Sequence, residues 1–121
     1  MQWASAADLL AQAEVMETAG LRAVNFSYVV ADGGWYYDPL CGNDWGCEAV
    51  DEYGRLIPDS SRYPSGMKGL CDELHARGFK CGFHLFRGVS ALGYTRASPI
   101  KGSEQGCASS SHVPMPLRRL G

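Results

Sequence analysis

The order of amphipathic and apolar segments is the feature that most constrains the fold. Apolar residues recur at helical intervals over residues 5–20 and again over 65–77. A short run rich in β-branched and aromatic residues follows each pattern, over 24–31 and 80–86. Short strands that alternate with amphipathic helices indicate a parallel α/β sheet. The second run is almost wholly apolar, so we expect it to be covered on both faces.

Residues with capping preferences mark the ends of both predicted helices. Ser5 can cap the first helix, with Asp8 three residues on in the position of a capping box. Ser65 can cap the second helix in the same way. Gly20 and Gly78 follow the two helical patterns, as expected of glycines that end helices in a left-handed conformation.

Polar side chains follow both predicted strands at their carboxyl ends. Asp32 and Trp35 follow the first strand, and His84 and Arg87 lie at the end of the second. Chemistry in parallel α/β sheets lies at this edge, so we expect the two sets to face one crevice. A carboxylate accepts hydroxyl protons and an aromatic ring covers apolar C–H groups, which suits a sugar.

Each of these residues also has a structural interpretation. Asp32 could cap a turn instead of binding a ligand. Packing in the core is the commoner role of a residue such as Trp35, and His84 could be a hydrogen-bonded core histidine. Arg87 could form an ion pair with Asp32 at the rim of the sheet. The residues alone support a polar pocket at the end of an α/β sheet.

The remaining segments have weaker patterns. Residues 33–64 form a long excursion of the kind that is usually functional, with a turn predicted at Tyr53-Gly54. Residues 98–102 are predicted to be a loop. We expect one domain over residues 1–106, followed by an unrelated, disordered tail over 107–121.

Composition narrows the classes of partner. The 121 residues carry a net charge of −2 and are 45% hydrophobic, which suits one globular domain. No basic stripe indicates a nucleic acid or an anionic membrane surface as a partner, and no apolar run approaches the ~20 residues of a membrane span. The first basic residue is Arg22, so the sequence shows no signal peptide. The compartment stays open.

The five cysteines leave one thiol over if the others pair. Cys41 and Cys47 lie in one loop and could form a small disulfide in an oxidising compartment. Cys71 and Cys81 lie in apolar patterns and are predicted to be buried as small hydrophobic residues. Neither a C-x-x-C pair nor a helical pair of histidines is present, so a zinc site is less favoured than the loop disulfide. We expect no bound metal and no cofactor.

Longer motifs resemble one enzyme family. The segments YVVADGGWYYDP and VDEYGRLIPDSSRYPSGMKGLCDELHARGFKCGFHLFRGV resemble the α-galactosidase (melibiase) family of retaining glycoside hydrolases. The run HLFRG at 84–88 and the run SPIKG at 98–102 resemble a subgroup with H-x-x-R-G at the end of its third strand. The resemblance covers residues 6–102, and several motifs occur in order at the right spacing.

The resemblance implies part of a (β/α)₈ barrel: its first helix, second strand, second helix and third strand. Asp32 would match the first of two aspartates that bind galactose hydroxyls, with Gly33 in place of the second. Trp35 would match the tryptophan of the pocket wall, and His84 stands where many members have a tyrosine. His84 and Arg87 would donate to the sugar or hold the nucleophile. The implied substrates are terminal α-D-galactosides, or β-L-arabinopyranosides.

The family's catalytic aspartates do not occur within the resembling segments. Its nucleophile lies in a K-x-D context on the fourth strand and its acid/base near the sixth, whereas after Arg87 this chain has only Glu104 as a carboxylate. Retaining hydrolysis needs two carboxylates ~5 Å apart, and a barrel needs at least ~200 residues. We therefore expect no catalytic residue here, an inactive fragment, and self-association through open sheet edges.

Two other functions stay open from the sequence. A non-catalytic remnant that binds a sugar or a partner could use Asp32 and the aromatic residues. A small thiol or metal protein could use Cys41, Cys47 and His84, and this is the weakest of the three hypotheses. By the resemblance, relatives of this chain are often secreted or vacuolar.

Overall fold

The computed structural model describes residues 3–38, 48–85 and 89–103. Its elements are helix α1 (Ala6–Thr18), a 3₁₀ turn (Leu21–Val24), strand β1 (Tyr28–Ala31), helix α2 (Gly66–Ala76), strand β2 (Lys80–Phe83) and helix α3 (Ala91–Thr95). The two strands pair in parallel, with Tyr28 opposite Lys80 and Ala31 opposite Phe83. The predicted α/β arrangement with parallel strands is confirmed for this part of the chain.

Helix α1 begins as the sequence predicts. Ser5 Oγ accepts a hydrogen bond from the Asp8 backbone N–H at 3.2 Å. In return, Asp8 Oδ2 accepts one from the Ser5 N–H at 2.8 Å, which completes the capping box. Gly20 follows the helix with φ +68°, the left-handed conformation expected there.

The first predicted strand is wrong over its first residues. Residues 21–24 form the 3₁₀ turn, and β1 begins only at Tyr28. Asn25 has φ +70°, and the Phe26 N–H bonds back to the Leu21 carbonyl at 3.1 Å. A left-handed residue ends the extended conformation, so the β propensity of Val24 and Phe26 does not decide their structure.

Helices α1 and α2 pack on one face of the sheet and bury alternate residues of β1. The core consists of Leu9, Ala13, Val29, Ala31, Trp35, Tyr36, Tyr63, Leu70, Leu74 and Phe79. On the opposite face Tyr28 is 60% and Val30 51% exposed. Lys80 lies over the Tyr28 ring and Gly82 lies against Val30 on this same side. The prediction that β2 is covered on both faces is therefore wrong in the described chain.

Helix α2 and strand β2 are joined covalently. Cys71 and Cys81 form a disulfide with their Cα atoms 5.2 Å apart, which corrects the prediction of two unlinked, buried cysteines. Helix periodicity and strand pattern each describe one element, and neither shows that two side chains meet between them. Ser65 occupies the N-cap position of α2, but its side chain makes no capping hydrogen bond, so that prediction is also wrong.

The excursion between β1 and α2 is held by local turns. Tyr53-Gly54 lies at a tip, as predicted, with Gly54 at φ +71°. Asp51 Oδ1 accepts hydrogen bonds from the N–H groups of Tyr53 and Arg55, both at 2.9 Å. Cys41 and Cys47 lie outside the described residues.

Helix α3 forms in a segment for which the sequence predicts no secondary structure. Ser90 Oγ accepts a hydrogen bond from the Leu92 N–H at 3.3 Å and caps this five-residue helix. A Cβ added to Gly93 of the helix would lie only 3.1 Å from the Gly54 Cα, so the two backbones pack closely at this point. A tertiary contact thus holds a segment too short to show a helical period.

Residues 107–121, predicted as a tail, lie outside the described residues. No helix within the described ranges is long and apolar enough to cross a bilayer.

Candidate functional site

The carboxyl ends of β1 and β2 bring Asp32 and His84 together. His84 Nδ1 and Asp32 Oδ1 are 2.9 Å apart, although the residues are separated by 52 positions. The backbone N–H of His84 also donates to the Ala31 carbonyl at 2.8 Å, which extends the hydrogen bonding between the two strands by one residue. Because an ionised carboxylate only accepts hydrogen bonds, Nδ1 carries the proton in this contact.

Asp32 is charged and open to solvent. Its side chain is 89% exposed, compared with 48% for His84. The Gly33 N–H, which donates to Oδ1 at 2.7 Å, and the His84 side chain both lower the pKa of Asp32 below its ordinary value. No hydrogen bond from the described residues engages Oδ2, so this oxygen can accept hydroxyl protons from a ligand.

The turn after Asp32 depends on a glycine. Gly34 has φ +84°, a conformation that favours glycine. A Cβ at this position would lie 2.6 Å from Cε3 of Trp3, which is too close for any other residue type. The Trp3 ring in turn packs on Tyr37, with centroids 5.3 Å apart. The turn is thus fixed both by its backbone and by the ring beneath it.

Trp35 links the turn to the second strand. Its side chain is 5% exposed, and its Nε1–H donates to the His84 carbonyl at 2.9 Å. The indole meets Phe83 edge-on at 5.5 Å and Tyr36 edge-on at 5.0 Å between centroids. The structure places Trp35 beneath the ends of the two strands, where it bonds to the His84 backbone, and leaves little of its ring for a ligand.

The neighbouring tyrosines also belong to the core. Tyr36 is 1% and Tyr37 6% exposed, so both rings are buried and offer almost no surface to a ligand. Tyr53 lies with Arg55 and Lys101 over its ring. Packing, and not ligand binding, is therefore the role of Tyr36 and Tyr37 in this structure.

Sequence reasoning did not single out two residues that hold the turn. The Asp59 N–H donates to the Trp35 carbonyl at 2.9 Å, and Arg62 Nη2 donates to the Gly34 carbonyl at 2.6 Å. The only signal for them was their place in the segment between Pro58 and Pro64, part of the motif that carries the family resemblance.

Arg87, the fourth predicted site residue, lies outside the described residues, so its role stays a prediction. Among the residues that the structure describes, no three His, Cys, Asp or Glu side chains are grouped so that they could hold a metal ion.

Comparison with known proteins identifies relatives of this arrangement. The family model described as Melibiase_2, alpha galactosidase A, matches residues 4–99. The alpha-galactosidase of Torulaspora delbrueckii is 31% identical over 87 residues, which are 71% of this chain and 16% of that protein. The alpha-N-acetylgalactosaminidase of Gallus gallus is 42% identical over 55 residues, which are 42% of this chain and 14% of that protein.

A solved structure matches the described fold. The β-L-arabinopyranosidase of Geobacillus stearothermophilus, in complex with arabinose, superposes with a TM-score of 0.75 at 30% identity. The match covers 86% of this chain and 26% of that one. The chain therefore spans about a quarter or less of the length of the proteins it resembles.

Proposed function

The chain belongs to the alpha-galactosidase A family of glycoside hydrolases, and on that premise we propose that it forms the sugar-binding portion of a glycosidase barrel. In this proposal α1, β1, α2 and β2 are the first helix, second strand, second helix and third strand of a (β/α)₈ barrel. The parallel pairing of β1 and β2 across a helical crossover supports it, because this is the repeating unit of such barrels.

The observation that carries the proposal is the exposed carboxylate of Asp32 at the shared end of the two strands. His84 and the Gly33 N–H hold Oδ1, and among the described residues none donates a hydrogen bond to Oδ2 of this side chain, which is 89% exposed. A fixed, ionised acceptor at this edge is suited to take hydrogen bonds from sugar hydroxyls. His84 and Arg87 complete the proposed sugar contacts, with Trp35 forming the floor.

The proposed substrates are terminal α-D-galactosides. β-L-Arabinopyranosides are the second candidate, because they match galactose without its C6 arm and because a relative with TM-score 0.75 binds arabinose. The two differ only at C6, so paired methyl glycosides of both sugars separate them by affinity.

In this proposal the 121-residue chain binds sugar without hydrolysing it. Retaining hydrolysis needs a second carboxylate ~5 Å from the first, across the scissile bond. By the family resemblance, both catalytic aspartates lie beyond the matched residues 4–99. A non-catalytic remnant would also bind sugar without turnover. A portion of a glycosidase is distinguished from such a remnant by adding the other barrel strands of a family member as a second polypeptide.

The test is a titration of the chain with methyl α-D-galactopyranoside and with methyl β-L-arabinopyranoside. The NMR chemical shifts of His84 report binding in each titration. We expect saturable shifts with a dissociation constant of the order of 1 mM, since one side of a pocket supplies few contacts. Asp32→Asn should weaken binding at least about tenfold. Asp72→Asn, which alters an exposed carboxylate paired with Lys68 on α2, is the matched control.

Four results would contradict parts of the proposal. Absence of saturable shifts, or equal binding by Asp32→Asn, would overturn the sugar site. Release of nitrophenol from nitrophenyl α-galactoside by the purified chain would overturn the proposed lack of hydrolysis. Tighter binding of the arabinoside would move the substrate assignment to the second candidate.

A further inference from the structure

The pair formed by Asp59 and Arg62, here called the Asp59–Arg62 clamp, reaches the candidate site from a separate loop. We propose that these two residues are positioning residues of the site. They hold the turn after Asp32 so that the Trp35 indole reaches His84 and the Asp32 carboxylate stays aimed at the crevice. The role of the clamp in sugar binding rests on the proposed function, whereas its effect on the position of the indole can be measured without a sugar.

Arg62 connects three parts of the chain through one guanidinium. Its Nε bonds to Asp59 Oδ2 at 2.8 Å and its Nη2 to the Gly34 carbonyl at 2.6 Å. Its Nη1 approaches the Ala4 carbonyl at 3.4 Å. The side chain is only 19% exposed. A planar group with donors in fixed directions is required to serve a carboxylate and a carbonyl together.

Asp59 is buried, and both of its carboxylate oxygens accept hydrogen bonds. Oδ1 accepts from the Ser61 N–H at 2.8 Å and from the Ser61 hydroxyl at 2.6 Å. Oδ2 accepts from Arg62, and the backbone N–H donates to the Trp35 carbonyl at 2.9 Å. A residue 6% exposed retains its charge because it is paired and hydrogen-bonded in this way.

The contacts form a continuous path from the clamp to the site. The clamp holds the carbonyls of Gly34 and Trp35, and the Trp35 indole donates to the His84 carbonyl. The imidazole of His84 then bonds to Asp32. Loss of the Arg62 side chain frees the Gly34 carbonyl and removes the pairing that holds the Asp59 backbone N–H against the Trp35 carbonyl. The indole that depends on this turn then shifts from His84.

The alternative is that the clamp only stabilises the fold, and it predicts a different result. It would lower the free energy of unfolding but leave the Trp35 indole as well protected as the core in every molecule that remains folded. A positioning clamp loosens the indole locally, within the folded state. The exchange rate of the indole proton, compared with that of amides in α2, distinguishes the two.

The experiment compares Arg62→Lys with Arg55→Lys in the full chain. Lysine keeps the charge but cannot bond to Asp59 and the Gly34 carbonyl in the same geometry. Arg55 forms a similar pair with Asp51 at 2.6 Å, away from the turn, and its side chain is 57% exposed. Trp35→Phe identifies the indole resonance.

We expect Arg62→Lys to speed exchange of the Trp35 indole proton at least about tenfold relative to the amide of Leu74. Arg55→Lys should leave this ratio unchanged. An unchanged ratio in Arg62→Lys would overturn the inference. If that variant does not fold, Ser61→Ala replaces it, because it removes only the hydroxyl donor to Asp59; it should shift the ratio in the same direction, and no shift would overturn the inference.

A sugar titration of the same variants separates this inference from the proposed function. If the wild-type chain binds neither methyl glycoside, the proposed function fails while the indole exchange still decides the clamp. If the wild type binds, Arg62→Lys should bind at least about tenfold more weakly under conditions where it is fully folded. Equal affinity would overturn the role of the clamp in the site.

Discussion

The Nε1–H of Trp35 donates a hydrogen bond to the carbonyl oxygen of His84 at 2.9 Å, which fastens the turn after β1 to the chain that follows β2. Trp35→Phe keeps an aromatic ring but removes this donor. We expect the free energy of unfolding to fall by about 2–3 kcal/mol, because a partly buried carbonyl loses its partner and the smaller ring leaves a cavity. Urea unfolding of both proteins measures the difference.

Tyr94→Phe is the matched control for that substitution. Tyr94 is 45% exposed on α3, so loss of its hydroxyl should change the unfolding free energy by less than about 0.5 kcal/mol. Equal midpoints for Trp35→Phe and Tyr94→Phe would show that the bond to His84 contributes nothing to stability.

The charge of Asp59 should make stability depend on pH. Burial raises the pKa of Asp59, but the hydrogen bonds from Ser61 and Arg62 outweigh it and lower the pKa from 3.8 to about 2. The folded protein thus binds the proton less tightly than the unfolded chain does. Asp59 contributes about 2 kcal/mol of stability above pH 3.8, which is lost as the pH falls toward 2.

Comparison with Asp59→Asn isolates this contribution from that of the other acids. The stability gap between the two proteins, measured by thermal melting, should be largest above pH 4 and narrow toward pH 2. A gap that stays constant over this interval would show that Asp59 titrates equally in both states.

Gly34 should tolerate no side chain. Gly34→Ala places a Cβ against the ring of Trp3, and the residue must also keep φ at +84°. Gly20→Ala introduces only the backbone strain of a positive φ, since φ is +68° and no atom lies within 4 Å of the new Cβ. We expect a loss of about 1–2 kcal/mol for Gly20→Ala and at least twice that for Gly34→Ala. Similar melting temperatures for both variants would exclude the contact with Trp3.

The disulfide between Cys71 and Cys81 should stabilise the chain although it closes a loop of only 10 residues. A reductant is expected to lower the unfolding free energy by about 2–3 kcal/mol, the value for a loop of this length. The double variant Cys71→Ala/Cys81→Ala should unfold at the same urea concentration with and without reductant. A reductant-sensitive midpoint in that variant would assign the effect to other cysteines.

The open face of the sheet should promote self-association. Tyr28 and Val30 present apolar surface there, and within residues 3–38, 48–85 and 89–103 each strand has one edge that no other strand pairs with. Val30→Lys should raise the monomer fraction in sedimentation experiments at a fixed concentration. Val15→Lys, at an exposed position of α1, should not. Equal monomer fractions for the two variants would exclude this face.

The parts of the fold that local chemistry determines could be predicted from the sequence. Helix α1 follows from its apolar spacing and from the capping pair of Ser5 and Asp8, which needs no distant contact. The approach of Asp32 to His84 follows from a general property of parallel sheets, whose strands end at a common edge. The strand boundary at Asn25 could not be predicted, because one left-handed residue overrides the propensities around it.

Three other contacts between elements could not be predicted from the sequence. The partner of Cys71 lies on a strand, and α3 is held by Gly54 from a distant turn. Arg62 reaches Gly34 across 28 residues. Each depends on where two elements come together, and a single sequence does not contain that information in its periodicity.

The parallel pairing of β1 with β2 has a consequence during biosynthesis. The strand ends that meet at Asp32 and His84 are 52 residues apart. Ribosomes add ~5–20 residues per second, so roughly 3–10 s pass between the emergence of the two strands. During this interval β1 has α1 to cover one side, but the strand β2 that pairs with it is not yet synthesised. The nascent chain is therefore most open to chaperones, and to pairing with other nascent chains, before Phe83 leaves the ribosome.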